Sequence, residues 1–197
     1  EVIPHIVEII QSSSVFFEPG EKYYWNDTGV DIILENIETN EMVILKTITK
    51  FFKDLDVEGL GEKNIKRIVD SGADTIAKII ALSIHDLMQV ENFREIMATK
   101  IYNSIEMQIA KASLEKIAAA TNIFDRGLGE KRIKIILESE PQILIDTSSE
   151  NELIKKGKKL EGLAEKTATQ FVKNIPEFLE FLKSPNLTYK LDKQQSQ

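Results

Sequence analysis

The chain has 197 residues, 42% of them hydrophobic, and a net charge of −7 from 25 Lys and Arg against 32 Asp and Glu. It is long enough for one large domain or two small ones, each with a real core. The absence of cysteine excludes disulfides and thiolate metal sites, and His5 and His85 stand too far apart in sequence to suggest a histidine centre. No apolar run approaches the roughly 20 residues of a membrane span, and a soluble intracellular protein, cytoplasmic or nuclear, is expected. The acidic balance means that any contact with a polyanion must be local, because Lys and Arg dominate phosphate binding.

Residues 1–45 read as a small β region. "VIPHIVEII", "KYYWN", "VDIILENI" and "EMVILKTI" are rich in β-branched and aromatic residues and are separated by polar turns such as Glu18-Pro19-Gly20 and Asn26-Asp27. Tyr23, Tyr24 and Trp25 suit the core of that sheet, with stacking on nucleic-acid bases as the other use of such a cluster. The abrupt opening "EVIPHIVEII", with no Met, reads as a piece of a longer polypeptide. Residues 46–183 change to helical spacing, as in Ile65, Ile68 and Val69 and then Ile76, Ile79 and Ile80, and are expected to be nearly all α. Residues 184–197, beginning Ser184-Pro185-Asn186, read as a polar, frayed tail.

The helical part repeats itself. "VEGLGEKNIKRIV", "VENFREIMATKIY", "DRGLGEKRIKIIL" and "LEGLAEKTATQFV" begin at Val57, Val90, Asp125 and Leu160, with successive spacings of 33, 35 and 35 residues. Each carries an apolar residue at its turn (Leu60, Phe93, Leu128, Leu163), then a glutamate (Glu62, Glu95, Glu130, Glu165), then a small or β-branched residue (Ile65, Ala98, Ile133, Ala168).

Physically, each copy predicts a helix, a tight hairpin and a second helix, with the apolar residue plugging the gap between the two. The glutamate falls in the first turn of the second helix, where negative charge suits the exposed N–H groups. Gly59 and Gly61 in the first copy, and Gly127 and Gly129 in the third, permit tight turning and close approach to a ligand. With Lys63, Lys131 and Lys166 directly after the glutamates, such turns can hold a phosphate on backbone amides. Basic residues gather at these places: Lys63, Lys66 and Arg67; Arg126, Lys131, Arg132 and Lys134; Lys166 and Lys173. Two plainer readings compete, a C-capping glycine turn inside an ordinary bundle and a helical solenoid of similar period. No phosphate-cradling P-loop, nucleophile with a nearby base or nucleotidyl-transferase lysine motif is present, and Asp54 and Asp56 have no evident acid/base partner.

The four-fold array resembles the helix-hairpin-helix domain of bacterial-type NAD-dependent DNA ligases. "EVIPHIVEII" is similar to a strand of that family's OB-fold, "DLDVEGLGEKNIKRIVDSG" to the segment opening its helical array, and "DLMQVENF" to the approach to its second motif. Arg126 falls where its third motif carries an arginine. The resemblance covers residues 2 to about 181. Two features depart from it. No cysteine replaces the family's four-cysteine zinc finger between residues 11 and 45, a form more like the divergent ligases of large DNA viruses. Asn92 and Arg94 stand for the glycines of the second motif and Ala164 for the second glycine of the fourth, so these copies are expected to be structural, because Arg and Ala tolerate positive φ poorly.

The resemblance implies a mainly α fold of four helix-hairpin-helix motifs behind the end of an OB-fold and a β insert. The partner implied is double-stranded nicked DNA, gripped through phosphates during replication and repair, with no membrane involved. The residues that would bind it are Gly59, Gly61, Lys63, Lys66, Arg67, Arg126, Gly127, Gly129, Lys131, Arg132, Gly162 and Lys166. NAD and magnesium belong to the parent enzyme and none to this chain. The chemistry would fall to a catalytic domain on the same or another chain, and this polypeptide alone is expected not to ligate. The alternative is a helical protein-interaction module whose degenerate motifs keep the fold without binding DNA.

Overall fold

The structure, a computed structural model, describes residues 20–35, 40–124, 128–158, 164–185, 187–188 and 190. The chain divides into two units, the first ending at Asn40 and the second beginning at Glu41. In the first, β1 (Tyr23–Trp25) pairs antiparallel with β2 (Ile32–Leu34), with Tyr24 opposite Ile33. Asn26 knots the connecting loop: its Oδ1 accepts from Thr28 Oγ1 at 2.9 Å and from the N–H groups of Val30 and Asp31 at 3.1 and 3.2 Å. The aromatic cluster does not form a sealed core, since Tyr24 is 51% and Trp25 44% exposed. The expected OB-fold strand at residues 1–10 lies outside the described residues.

The second unit is helical: α1 (Glu41–Asp54), α2 (Glu62–Asp70), α3 (Ile76–Ile80), α4 (Ile84–Gln89), α5 (Glu95–Lys111), α6 (Leu114–Thr121), α7 (Glu130–Ser139), α8 (Glu150–Lys158) and α9 (Glu165–Leu182). One expectation is corrected at once. "EMVILKTI", read as strand-like, is the start of α1. Ile44, Ile48, Phe51, Phe52 and Leu55 recur at helical spacing; the last four are buried and Ile44 packs against their cluster. Burial of a continuous stripe outweighs the weak strand preference of single β-branched residues.

The helices pack as consecutive pairs, α1 with α2, α4 with α5, α6 with α7 and α8 with α9, and α1 also packs on α6. The plug residues behave as their chemistry demands: Leu60, Phe93 and Leu128 are buried, as are Ile65, Ala98, Ile133 and Ala168 one turn into the following helices. At the last pair the small residue has a direct use. A Cβ added at Gly157 would lie 3.2 Å from Ala168 Cβ, so α8 and α9 approach closely through two residues with almost no side chain.

The expected frayed tail is also corrected in part. Leu187 and Lys190 are both buried, and Lys190 Nζ donates to the carbonyl of Ala110 at 3.0 Å and to that of Ala112. An ammonium on the last carbonyls of α5 satisfies acceptors that the helix cannot pair and complements its dipole.

Ahead of α8, the Lys156 ammonium, and after it Ser148, hold the Asp146 carboxyl well below the usual carboxylate range, while the same pairing raises Lys156. A depressed carboxyl stabilises the fold above its unfolded pKa, near about 4, and loses that contribution as pH falls through its folded value. Lys156 works in the opposite sense, its contribution full below its unfolded value and lost as pH rises through its raised folded value. Asp146→Asn should therefore lose less stability than the parent chain between about pH 5 and about pH 3. Urea midpoints at those two pH values measure it, and an identical shift in both proteins would refute the assignment.

Candidate nucleic-acid interface

Four helices begin at the repeated turns: α2 after Gly61, α5 after Arg94, α7 after Gly129 and α9 after Ala164. None of the four has a side-chain hydrogen bond at its N-cap. Three helices that begin elsewhere, α3, α4 and α6, differ. Thr75 accepts from the Lys78 N–H at the start of α3, Ser83 and Asp86 form a reciprocal capping box on α4, and Ser113 accepts from the Lys116 N–H on α6. Leading N–H groups of a helix need partners from outside it, and at the four repeated turns the N-cap residue supplies no side chain.

Backbone angles assign different work to the two glycine positions. Gly59 has φ +84°, and Asn92 holds the matching place in the second copy with φ +64°. The second position is extended in every copy, with φ −74° at Gly61, −111° at Arg94, −75° at Gly129 and −67° at Ala164. Loss of that glycine therefore strains nothing, so backbone strain at Arg94 and Ala164 gives no reason to set their copies apart from the other two. A Cβ built at Gly61 or Gly129 meets nothing within 4 Å, whereas one at Gly59 would lie 2.9 Å from Ile101 Cγ1. Gly59 is thus demanded by the fold, and Gly61 and Gly129 leave open space over a bare helix start.

The first turn of each pair is braced by the long helix of the next copy. The Glu58 N–H donates to Ser104 Oγ at 2.8 Å, Gln108 Nε2 donates to the Asp56 carbonyl at 3.1 Å, and Lys100 pairs with Glu58 at 3.1 Å, all from α5. At the third turn, Phe124 stacks on Phe171 of α9 with ring centroids 4.5 Å apart, and Asn174 Nδ2 donates to the Ile123 carbonyl. Ile101 and Phe171 share one register, 11 residues after Val90 and Leu160, and Ser104 and Asn174 share another at 14.

Among the described residues, Lys63, Lys131, Arg132 and Lys166 fall in the first turns of α2, α7 and α9, and Arg67 in the last turn of α2. Lys63, Lys131, Arg132 and Lys166 are exposed. Lys66 is exposed and pairs with Asp70 at 3.1 Å along α2. Arg67 is half-buried, and its guanidinium donates to Asn64 Oδ1 at 3.2 Å. Asn64 in turn donates to the Gly59 carbonyl at 2.9 Å, so Arg67 supports the turn instead of reaching out from it. Lys134 lies 3.8 Å from Glu138. Exposed pairs of this kind hold weakly, which leaves Lys66 available to an external anion. Arg126, Gly127 and Gly162 lie outside the described residues. Sequence reasoning noted Arg94 as a replacement for glycine and passed over Ile96. The signal was available, for Ile96 aligns with Lys63, Lys131 and Lys166. Among the described residues no group of three or more His, Cys, Asp or Glu side chains can hold a metal, and no helix is long and apolar enough to cross a membrane.

Comparison with known proteins finds DNA ligases among the relatives of this chain. Over 190 residues the chain is 35% identical to a DNA ligase of Acanthamoeba polyphaga mimivirus, covering 95% of this chain and 30% of that protein. Proteins of Invertebrate iridescent virus 3 and Invertebrate iridescent virus 6, which bear provisional DNA ligase names, are 31% and 29% identical. Those matches cover 73% and 86% of this chain and 19% and 26% of the relatives. No family model matches. The chain is thus a DNA ligase-related region, and it spans less than a third of the length of these relatives.

Proposed function

We propose that this chain is the DNA-gripping portion of an NAD-dependent DNA ligase, holding duplex phosphates around a nick in replication and repair through four helix-hairpin-helix motifs. The observation that carries this reading is the contrast in capping. The four helices that open at the repeated turns have no side-chain hydrogen bond at their N-caps, while α3, α4 and α6 are capped by Thr or Ser. At Gly61 and Gly129 a phosphate oxygen can approach the leading amides without meeting a side chain. Lys63 and Lys131, the second residues of α2 and α7, add charge beside those amides, and Lys166 does the same on α9. Such contacts position a duplex without reading its sequence. Nick sealing itself, with its NAD and magnesium, belongs in this reading to a catalytic domain on the same or another chain.

Fluorescence anisotropy with nicked and intact duplexes, titrated with salt, tests it. Two to four phosphate contacts give a slope of log affinity against log salt of roughly −2 to −4. Gly61→Val combined with Gly129→Val should weaken binding at least about tenfold, since charge-assisted hydrogen bonds are worth about 1.5 kcal/mol or more each. The circular dichroism spectrum should not change, because both positions are extended and open. No binding by the parent chain at low salt, or equal binding by the double variant, would overturn the proposal.

A further inference from the structure

We infer that the second turn meets duplex DNA through an apolar contact: Ile96 lies on a deoxyribose edge while Arg94 takes the neighbouring phosphate. The inference rests on the function proposed above and deepens it by giving the four turns different tasks.

Lys63, Ile96, Lys131 and Lys166 are the second residues of α2, α5, α7 and α9. Three copies place an exposed ammonium there. The second places Ile96, 86% exposed and the most exposed large hydrophobic side chain among the described residues. Distortion of the turn does not explain it. Asn92 reproduces the positive φ of Gly59, Arg94 the extended N-cap of Gly61 and Gly129, and Phe93 and Ala98 are buried like their counterparts. Ile96 is therefore presented where the other copies present a cation.

The charge has not vanished from this turn but has moved two residues back. Arg94 occupies the place of Gly61 and Gly129, where a Cβ points into open space, and it too is exposed. A planar guanidinium can take a phosphate bidentately without help from backbone amides. The neighbour of any phosphate along a strand is a sugar, whose C–H edge is the apolar part of the duplex exterior. An arginine and an isoleucine two residues apart match that alternation, and a DNA ligase relative aligned over 95% of this chain makes duplex DNA the occupant of choice.

The test is anisotropy of the full chain on one nicked duplex across a salt series, for the parent, Ile96→Ala, Ile96→Lys and Arg94→Gln. Losing a partly buried branched side chain should weaken binding about five- to tenfold in Ile96→Ala and leave the salt slope unchanged. Arg94→Gln should flatten the slope by about 1, as loss of a phosphate contact does. Ile96→Lys should not tighten binding. Tighter binding by Ile96→Lys with a slope steeper by about 1 would show that the position faces a phosphate, and would overturn the inference. So would unchanged affinity in Ile96→Ala while Gly61→Val with Gly129→Val still lose DNA, an outcome that leaves the grip itself standing. A parent chain that binds no DNA would overturn both.

Discussion

Phe171→Ala should destabilise the helical unit by about 3–5 kcal/mol, the range for removing a fully buried aromatic side chain. Phe171 is 1% exposed and stacks on Phe124 at 4.5 Å, while Phe124 meets Phe178 edge-on at 5.0 Å. Removing the Phe171 ring leaves a cavity against Phe124, which cannot collapse without moving α9. Phe124 sits at the mouth of the third turn, so the same variant should loosen the approach to Gly129. Urea unfolding at constant slope measures the loss, with Phe171→Leu as a milder companion. A midpoint within about 1 kcal/mol of the parent would mean that the rings do not support the fold.

Gly59→Val should cost about 2–4 kcal/mol and Gly61→Val no more than about 1 kcal/mol, the N-cap preference for glycine, although the two glycines are separated by one residue. At Gly59 two penalties coincide. Its φ of +84° is a region where a β-branched residue is a true outlier, and its Cβ would press on Ile101 Cγ1 at 2.9 Å. At Gly61 the backbone is extended and the space is open. Gly59→Asn should be the gentler change, since Asn92 already adopts positive φ at the matching place. Thermal and urea unfolding of the three variants decide the matter. Equal destabilisation by Gly59→Val and Gly61→Val would contradict the division of labour between fold and contact.

The repeat made much of this architecture legible. Four aligned turns, each ending in a glutamate that starts a helix, placed α2, α5, α7 and α9 correctly because turn chemistry and plug residues act locally. Ile44 and Ile48 misled, since each taken singly favours a strand while together they lie on the apolar stripe of α1. Leu187 and Lys190 could not be read as docked, because what holds Lys190 is carbonyls about 80 residues earlier, not neighbours in sequence. The two glycines of each turn look equivalent in the sequence, and only backbone angles separate the one that bends from the one that clears space. The bare helix starts were legible in principle, as Gly61, Arg94, Gly129 and Ala164 stand where Thr75, Ser83 and Ser113 cap their helices.

The bracing of Glu58 by Ser104 and of Phe124 by Phe171 sets the smallest piece that could be moved elsewhere. A lone copy grafted onto another scaffold would carry its turn but leave behind the long helix that shapes it. A tandem of two, 57–111 or its counterpart beginning at residue 123, carries both. Growth or loss of such an array during descent would then proceed two copies at a time, with odd-numbered arrays left holding one unsupported turn.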